Sequence, residues 1–150
     1  NSIAGDPSIL KGAKAQVVIT PHIGEMARLT GMTVEQVSSR QEEAARAFAC
    51  EYGCVTVLKS HRTVVAAPDG PLWINTTGNA ALAKGGSGDV LAGMIASFAA
   101  QGLEAAAAAI CAVWVHGFAA DRLVRRMSQY SVLARDLIGE IPFALKALGL

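Results

Sequence analysis

Lys84-Gly85-Gly86-Ser87-Gly88-Asp89-Val90-Leu91 is the stretch that decides how this chain is read. Glycines let a backbone take positive φ, so successive N–H groups can converge on one anion. The residues that follow, Asp89 through Val-Leu-Ala-Gly-Met-Ile-Ala-Ser to Phe98, read as helix. Such a helix adds free N-terminal N–H groups and the positive end of its dipole, and together these suit a phosphate. An acid in the first helical turn repels phosphate unless it has work there. That work is to take a proton from a hydroxyl attacking, or being attached to, the phosphate. The plain alternative is a glycine loop with Asp89 as a helix-start acid, worth about 0.3–1 kcal/mol. Spacing alone leaves both open. The order G-x4-G-K-[ST] is absent, so this is not a P-loop, and it follows a loop rather than a nucleotide-type βαβ strand.

Working outward, Gln16-Val-Val-Ile-Thr20 is a short β-branched run stopped by Pro21, a buried strand by its pattern. Thr33 to Gln36 has the form of a capping box, and Val34, Val37, Ala44, Phe48 and Tyr52 then recur at helical spacing up to the terminator Gly53. Cys54–Leu58, Thr63–Ala67 and Leu72–Asn75 follow as strands, the last two joined by the turn Pro68-Asp-Gly-Pro71. Beyond the glycine loop, Gly102 ends one helix and an alanine-rich helix runs from about Glu104 to Met127. A final helix from Ser131 carries Leu133, Leu137, Ile138, Ile141, Leu145 and Leu148 on one face, with Pro142 expected to kink or restart it. Strand–helix–strand, a β-meander and then helices make an α/β chain. About four strands are few for that much helix, so further strands are expected ahead of Asn1, in one domain spanning residues 1–150 as seen here.

Composition narrows the function. Of 150 residues 52% are hydrophobic and the net charge is +1, which excludes disorder and gives no electrostatic footprint for nucleic acid or an anionic membrane. The apolar run Ala105–Val115 is soon followed by Asp121 and Arg122, and the first residues lack the pattern of a signal peptide. Cys50, Cys54 and Cys111 cannot all pair, complete no zinc pattern, and are expected as buried free thiols in a reducing cytoplasm.

Individual side chains give weaker signals. His22 follows a strand end, where α/β folds place ligands, and has as its alternative a surface histidine capping a short helix. Glu25 reads as a helix-start acid. Lys59, with His61 and Arg62 in the turn after a strand, suits polyphosphate or simply a solvated turn. His116, amid Val113, Trp114 and Phe118, reads as a packed or capping histidine, and Asp121 as an arginine partner or a cap.

Gly85-Gly-Ser-Gly-Asp89 followed by Val-Leu-Ala-Gly93 resembles the anion-hole signature of the ribokinase-like superfamily. Four further segments resemble, in order, the NAD(P)H-hydrate dehydratase family: Thr20-Pro-His-Ile-Gly-Glu-Met-Ala-Arg-Leu29, Leu58-Lys-Ser-His-Arg-Thr63, Asn75-Thr-Thr-Gly-Asn79 and His116-Gly-Phe-Ala-Ala-Asp121. The resemblance runs from Asn1 to about Leu148 and aligns Asn1 with the last position of the family's Asp-Ala-Asp-x-x-Asn. It implies a ribokinase-like α/β/α sandwich, incomplete and represented by its C-terminal part. It implies a carbon–oxygen lyase that spends ADP, as most bacterial members do, or ATP, with Mg2+, to phosphorylate the ring hydroxyl of hydrated NADH or NADPH and eliminate phosphate. A ribokinase-like kinase of a sugar or a hydroxymethylpyrimidine or thiazole alcohol is the competing reading. A non-enzymatic piece completed by a partner is a third.

The resemblance also implies roles. Asp89 matches the catalytic acid that contacts substrate and deprotonates its hydroxyl. His22, Ile23, Gly24, Glu25, Met26, Ala27 and Arg28 match the loop touching the hydrated dinucleotide. Lys59, Ser60, His61, Arg62 and Thr63, together with Asn79 and the anion hole Gly85, Gly86, Ser87 and Gly88, match the nucleotide contacts; no residues are assigned to a metal. A cytoplasmic homo-oligomer, in some genes fused behind an epimerase domain, is the expected setting.

Overall fold

The computed structural model describes residues 3 and 5–150, so the expectation placed on Asn1 lies outside the described residues. The chain forms two compact units, one reaching Ile74 and one running from Asn75 to Leu150.

The first unit holds one sheet. Its strands are β1 (Val18–Ile19), β2 (Val55–Leu58), β3 (Val64–Ala66) and β4 (Leu72–Ile74), in the order β1-β2-β3-β4. β1 and β2 are parallel with Val18 opposite Val55, and the other neighbours are antiparallel. Parallel pairing needs a crossover, supplied by α1 (Ile23–Thr30), α2 (Val34–Ser39) and α3 (Gln41–Tyr52). Every residue of β2 is buried, Thr56 along with Val55, Val57 and Leu58, as in a strand covered on both faces. Met26, Val37, Phe48, Leu58 and Val64 belong to the core of this unit.

Thr33 caps α2 in a reciprocal box with Gln36, and Gly53 ends α3 at φ +63°, both as the sequence indicates. The single helix expected from Val34 to Tyr52 is instead two, broken at Arg40. Near the break, the Ser39 hydroxyl donates to the Gln36 carbonyl and the Gln41 amide to the Ser38 carbonyl, offering those carbonyls a partner other than the helical ladder. Val34, left ahead of the break, is half exposed. Cysteine burial is also corrected: Cys54 is buried, whereas Cys50 and Cys111 lie exposed on helices, Cys50 donating to the Pro68 carbonyl. All three are free thiols.

The second unit is helical: α4 (Ser87–Ala100), α5 (Ala105–Leu123) and α6 (Ala134–Ala147). Gly102, at φ +97°, makes the turn between the first two. Among the described residues α5 alone is long and apolar enough to cross a bilayer, but Ala108, Ala109, Ala112, Ala119 and Ala120 are wholly buried, as befits the central helix of a packed unit. Between α5 and α6, Glu140 is fully buried and bound by Arg122, whose Nε lies 2.6 Å from Oε1, and by Arg126. Burial raises the Glu140 pKa, but the hydrogen bonds and charges of Arg126 and Arg122 outweigh it and hold the carboxyl below its usual value. α6 continues through Pro142 without the expected restart. Ile138, whose carbonyl loses its helical partner there, is 58% exposed, so water can take the bond.

Candidate active site

The anion turn is built by one glycine, not three. Gly86 is the residue before α4, at φ +89°, and a Cβ on it would stand 3.0 Å from that of Ala134. Both the left-handed backbone and the close approach exclude a side chain there. Gly85 and Gly88 have ordinary φ, which corrects the expectation that positive φ runs through the loop. α4 starts at Ser87, two residues earlier than the sequence suggests, making Asp89 its third residue. The first helical bond joins the Val90 N–H to the Gly86 carbonyl at 3.1 Å, which puts the Gly88 and Asp89 N–H groups ahead of the ladder. Asp89 is exposed beside them.

Neighbouring polar groups fix this turn. Ser87 is buried, its hydroxyl 2.5 Å from the Leu82 carbonyl and 2.9 Å from that of Lys84. The Lys84 ammonium donates to the carbonyls of Tyr130 (2.5 Å) and Val132 (3.0 Å), tying the loop to the segment before α6. Asn79 accepts from the Ala81 N–H and donates to Asp121 Oδ1 at 2.8 Å, while Asp121 Oδ2 accepts from the Gly78 N–H at 2.9 Å. Of the two roles the sequence allows Asp121, capping is the one it fills; the arginines nearby belong to Glu140.

A groove of about 640 Å³ begins at Gly86 and Asp89 and runs between α4 and α6, walled by Val90, Met94, Ile138 and Ile141 among others. Sequence reading missed it by giving all the apolar residues of α6 to one face. Leu137 and Ala144 are core, whereas Ala134, Ile138, Ile141 and Leu145 form a second stripe along the groove. That spacing was the available signal.

In the first unit, His22 caps α1: its Nδ1 accepts from the Glu25 N–H at 3.1 Å and its own N–H donates to Glu25 Oε2 at 2.7 Å. The bridge between His22 and Lys59 extends the parallel pairing of β1 and β2 beyond their carboxyl ends, and brings Lys59 Nζ within 3.9 Å of Glu25 Oε2. Burial raises the Glu25 pKa, but the hydrogen bond from the His22 backbone and the charges of His22 and Lys59 lower it further, so the carboxylate is held ionised. A small cleft of about 160 Å³ is lined by Thr20, Pro21, Glu25 and Arg28, with Ile3, Ile19 and Leu29 completing it. Met26 and Ala27 face the core. Ser60 and Thr63 close the following turn on each other, and His61 and Arg62 project from it into solvent. No group of three His, Cys, Asp or Glu suited to a metal occurs among the described residues.

A parallel strand pair with charged groups at its carboxyl end, together with a glycine-started helix bearing an acid in its first turn, defines a ribokinase-like α/β protein. A ribokinase-like superfamily protein of Enterococcus faecalis superposes with a TM-score of 0.74 at 31% identity, over 93% of this chain and 49% of its own. The family model described as NAD(P)H-hydrate dehydratase matches residues 2–143, and the chain belongs to that family. It is 43% identical over 148 residues to a bifunctional NAD(P)H-hydrate repair enzyme of Moorella thermoacetica, covering 99% of this chain and 28% of the relative. It is 42% identical over 141 residues to an ADP-dependent (S)-NAD(P)H-hydrate dehydratase of Neisseria meningitidis, covering 94% and 46%. The Bacillus subtilis ADP/ATP-dependent NAD(P)H-hydrate dehydratase, co-crystallized with ATP/Mg2+, superposes with a TM-score of 0.85 at 39% identity, over 88% of this chain and 48% of that one. The chain thus spans about a quarter to a half of the length of the relatives it matches.

Proposed function

We propose that the protein carrying this chain is a nucleotide-dependent (S)-NAD(P)H-hydrate dehydratase, a carbon–oxygen lyase acting on hydrated NADH or NADPH. The observation that carries the reading is Asp89 as third residue of α4, directly beside N–H groups that the Gly86 turn leaves free. Those N–H groups and the helix dipole hold the phosphoryl group being transferred. The Asp89 carboxylate takes the proton of the ring hydroxyl as its oxygen attacks that phosphorus. The nucleotide leaves one phosphate shorter, and elimination of phosphate restores the reduced ring. The names of the Neisseria and Bacillus relatives support ADP, or ATP with Mg2+, as co-substrate. The fit is to phosphate: the turn excludes a Cβ and presents N–H groups, while no residues are assigned to the metal.

The remaining assignments belong to the same proposal. Lys59–Thr63 in the first unit and Asn79–Gly88 in the second are each assigned to nucleotide, and the hydrated dinucleotide meets His22, Ile23, Gly24, Glu25 and Arg28, since Met26 and Ala27 of that segment belong to the core. The chain is the C-terminal portion of one ribokinase-like domain in a cytoplasmic homo-oligomer. The bifunctional naming of the Moorella relative supports a second fused domain, with an epimerase as the resemblance's candidate.

Asp89→Asn tests the base. It keeps the shape and removes a charge facing phosphate, so ADP affinity holds or rises, while turnover of the hydrate falls by about 10²–10⁴. Recovery of absorbance at the reduced-nicotinamide band is the assay. A loss of less than about threefold clears Asp89 of this role, since a positioned base is worth far more. Full activity on a sugar or pyrimidine alcohol, with none on the hydrate, hands the protein to the kinase reading.

A further inference from the structure

Asp121, near the end of α5, is a carboxylate that the proposed chemistry does not use. Both of its oxygens are spent on one turn of the same unit. Oδ2 accepts from the Gly78 N–H at 2.9 Å, and Oδ1 from the Asn79 side-chain amide at 2.8 Å. That amide is thereby oriented, and its own oxygen caps the short 3-10 helix Ala80–Leu82 by accepting from the Ala81 N–H at 3.0 Å. The Leu82 N–H closes the same helix on the Asn79 carbonyl at 3.1 Å, and the Leu82 carbonyl accepts from the Ser87 hydroxyl at 2.5 Å. Ser87 is buried and is the first residue of α4, so its hydroxyl fixes the point from which the free Gly88 and Asp89 N–H groups project. Four hydrogen bonds therefore lead without a break from a carboxylate on α5 to the start of α4. The turn is also seated on α5 by contacts that do not involve Asp121. The Thr77 hydroxyl donates to the Trp114 carbonyl at 2.9 Å, and a Cβ on Gly78, at φ +103°, would lie 3.3 Å from the Gly117 Cα. A change at Asp121 thus alters where the Asn79 amide points rather than whether the turn forms.

We propose that Asp121 is a positioning residue for the nucleotide loop: by fixing the Asn79 amide it sets the 3-10 helix, and through it the anion turn. The inference rests on the assignment of Asn79–Gly88 to nucleotide. It gives Asn79 the work of a bridge, its nitrogen held by Asp121 and its oxygen by the Ala81 N–H. The pair can be inverted. Asp121→Asn still offers an oxygen to the Gly78 N–H but turns a donor toward the Asn79 donor. Flipping the Asn79 amide relieves that contact only by turning its nitrogen on the Ala81 N–H. Asn79→Asp makes the opposite mismatch, acceptor against acceptor. Combined, the two substitutions restore every pairing and keep the net charge. The amide at position 121 donates to the carboxylate at position 79, whose other oxygen accepts from Ala81.

The test uses the full-length protein in three measurements: thermal melting, calorimetric binding of ADP well below the melting temperature, and turnover of hydrated NADH with ADP. Asp121→Asn should bind ADP about tenfold more weakly and raise the KM for ADP to match, leaving the KM for the hydrate little changed. Turnover should slow at least about tenfold, since misplacing a binding group by about 1 Å can cost up to 10²-fold. Asn79→Asp should behave alike. The double variant should bind ADP to within about threefold of wild type, a rescue that two independent changes would not show. A cap with only a structural role gives another pattern. The single variants then melt lower yet bind ADP as the wild type does while folded, and that result overturns the proposal. Losses that simply add in the double variant overturn it as well. If a single variant does not fold, the double variant decides: folded with ADP bound, it supports the pairing, and unfolded or without ADP binding, it overturns it. A wild type that binds ADP without turning over the hydrate refutes the dehydratase reading alone, and one that does not bind ADP refutes both.

Discussion

Gly117→Ala puts the packing of the Thr77 turn to a direct test. A Cβ on Gly117 would lie 2.3 Å from Thr77 Oγ1, 2.6 Å from the Thr77 carbonyl carbon and 2.7 Å from its oxygen. Unstrained contacts of that kind need about 3.5 Å, so the Thr77 backbone must retreat by roughly 1 Å. It is not free to do so. Its hydroxyl is bound to the Trp114 carbonyl at 2.9 Å, and the next two residues are tied to Asp121 at 2.9 and 2.8 Å. Losing the first bond costs about 1 kcal/mol and weakening the two charge-assisted ones about 1.5 each, while staying in place costs about 1–3 kcal/mol of overpacking. The lower route leads to a loss of about 1–3 kcal/mol. Urea unfolding at neutral pH measures it: with m near 2 kcal/mol/M, the midpoint should drop by about 0.5–1.5 M at constant m. Gly93→Ala and Gly139→Ala are the controls. Both are helical glycines with nothing within 4 Å of a Cβ, and each should gain about 0.5–1 kcal/mol. A Gly117→Ala protein within about 0.5 kcal/mol of wild type would show that the close approach is absent, and the account of how α5 holds the turn would fall with it.

Other outcomes follow from the same geometry. Gly86→Val, placing a branched side chain at φ +89° against Ala134, should weaken ADP binding at least about tenfold, and unchanged calorimetric affinity would contradict the phosphate placement. His116 ties stability to pH. Its folded value of about 4 lies below the usual 6.5, so the unfolded chain binds the proton first. Stability is complete above about 6.5 and falls by about 3 kcal/mol as pH drops toward 4, a dependence His116→Leu should abolish in urea titrations across that window. Glu140 acts lower on the scale. Held below its usual 4.5, it contributes stability above that value that is lost as pH falls beneath it. Glu140→Gln should flatten that acid limb and cost about 1–2 kcal/mol at neutral pH, because Arg122 and Arg126 stay partly solvated; an unchanged acid limb would count against the pairing. Pro142→Ala should raise the unfolding free energy by about 1–3 kcal/mol by restoring an α6 bond, and no gain would mean that the helix has already accommodated the proline.

The elements legible in the sequence are those whose causes lie within a few residues. Thr33 and Gln36 form their box wherever the chain goes, Gly53 turns left-handed because its neighbours do not supply a continuing helix, and β2 is a strand because a β-branched run packs on both faces. The motif residues marked the anion turn and Asp89 for the same reason, since a glycine before a helix start is a local device. Tertiary structure alone decided the rest. Met26 sits within the segment matched to substrate, yet its face of α1 turns it into the core. Cys50 and Cys111 sit in apolar surroundings in sequence but on outer helix faces in space. The apolar residues of α6 divide between core and groove according to what α4 and α5 leave uncovered. Gly117 carries no local signal of purpose, being a glycine inside a helix, and the sequence leaves Asp121 between two roles. Their reason lies some forty residues away at Thr77–Asn79, in distances that no window of sequence contains. Short-range hydrogen bonding and periodicity are written along the chain, whereas burial and close approach are properties of which elements meet.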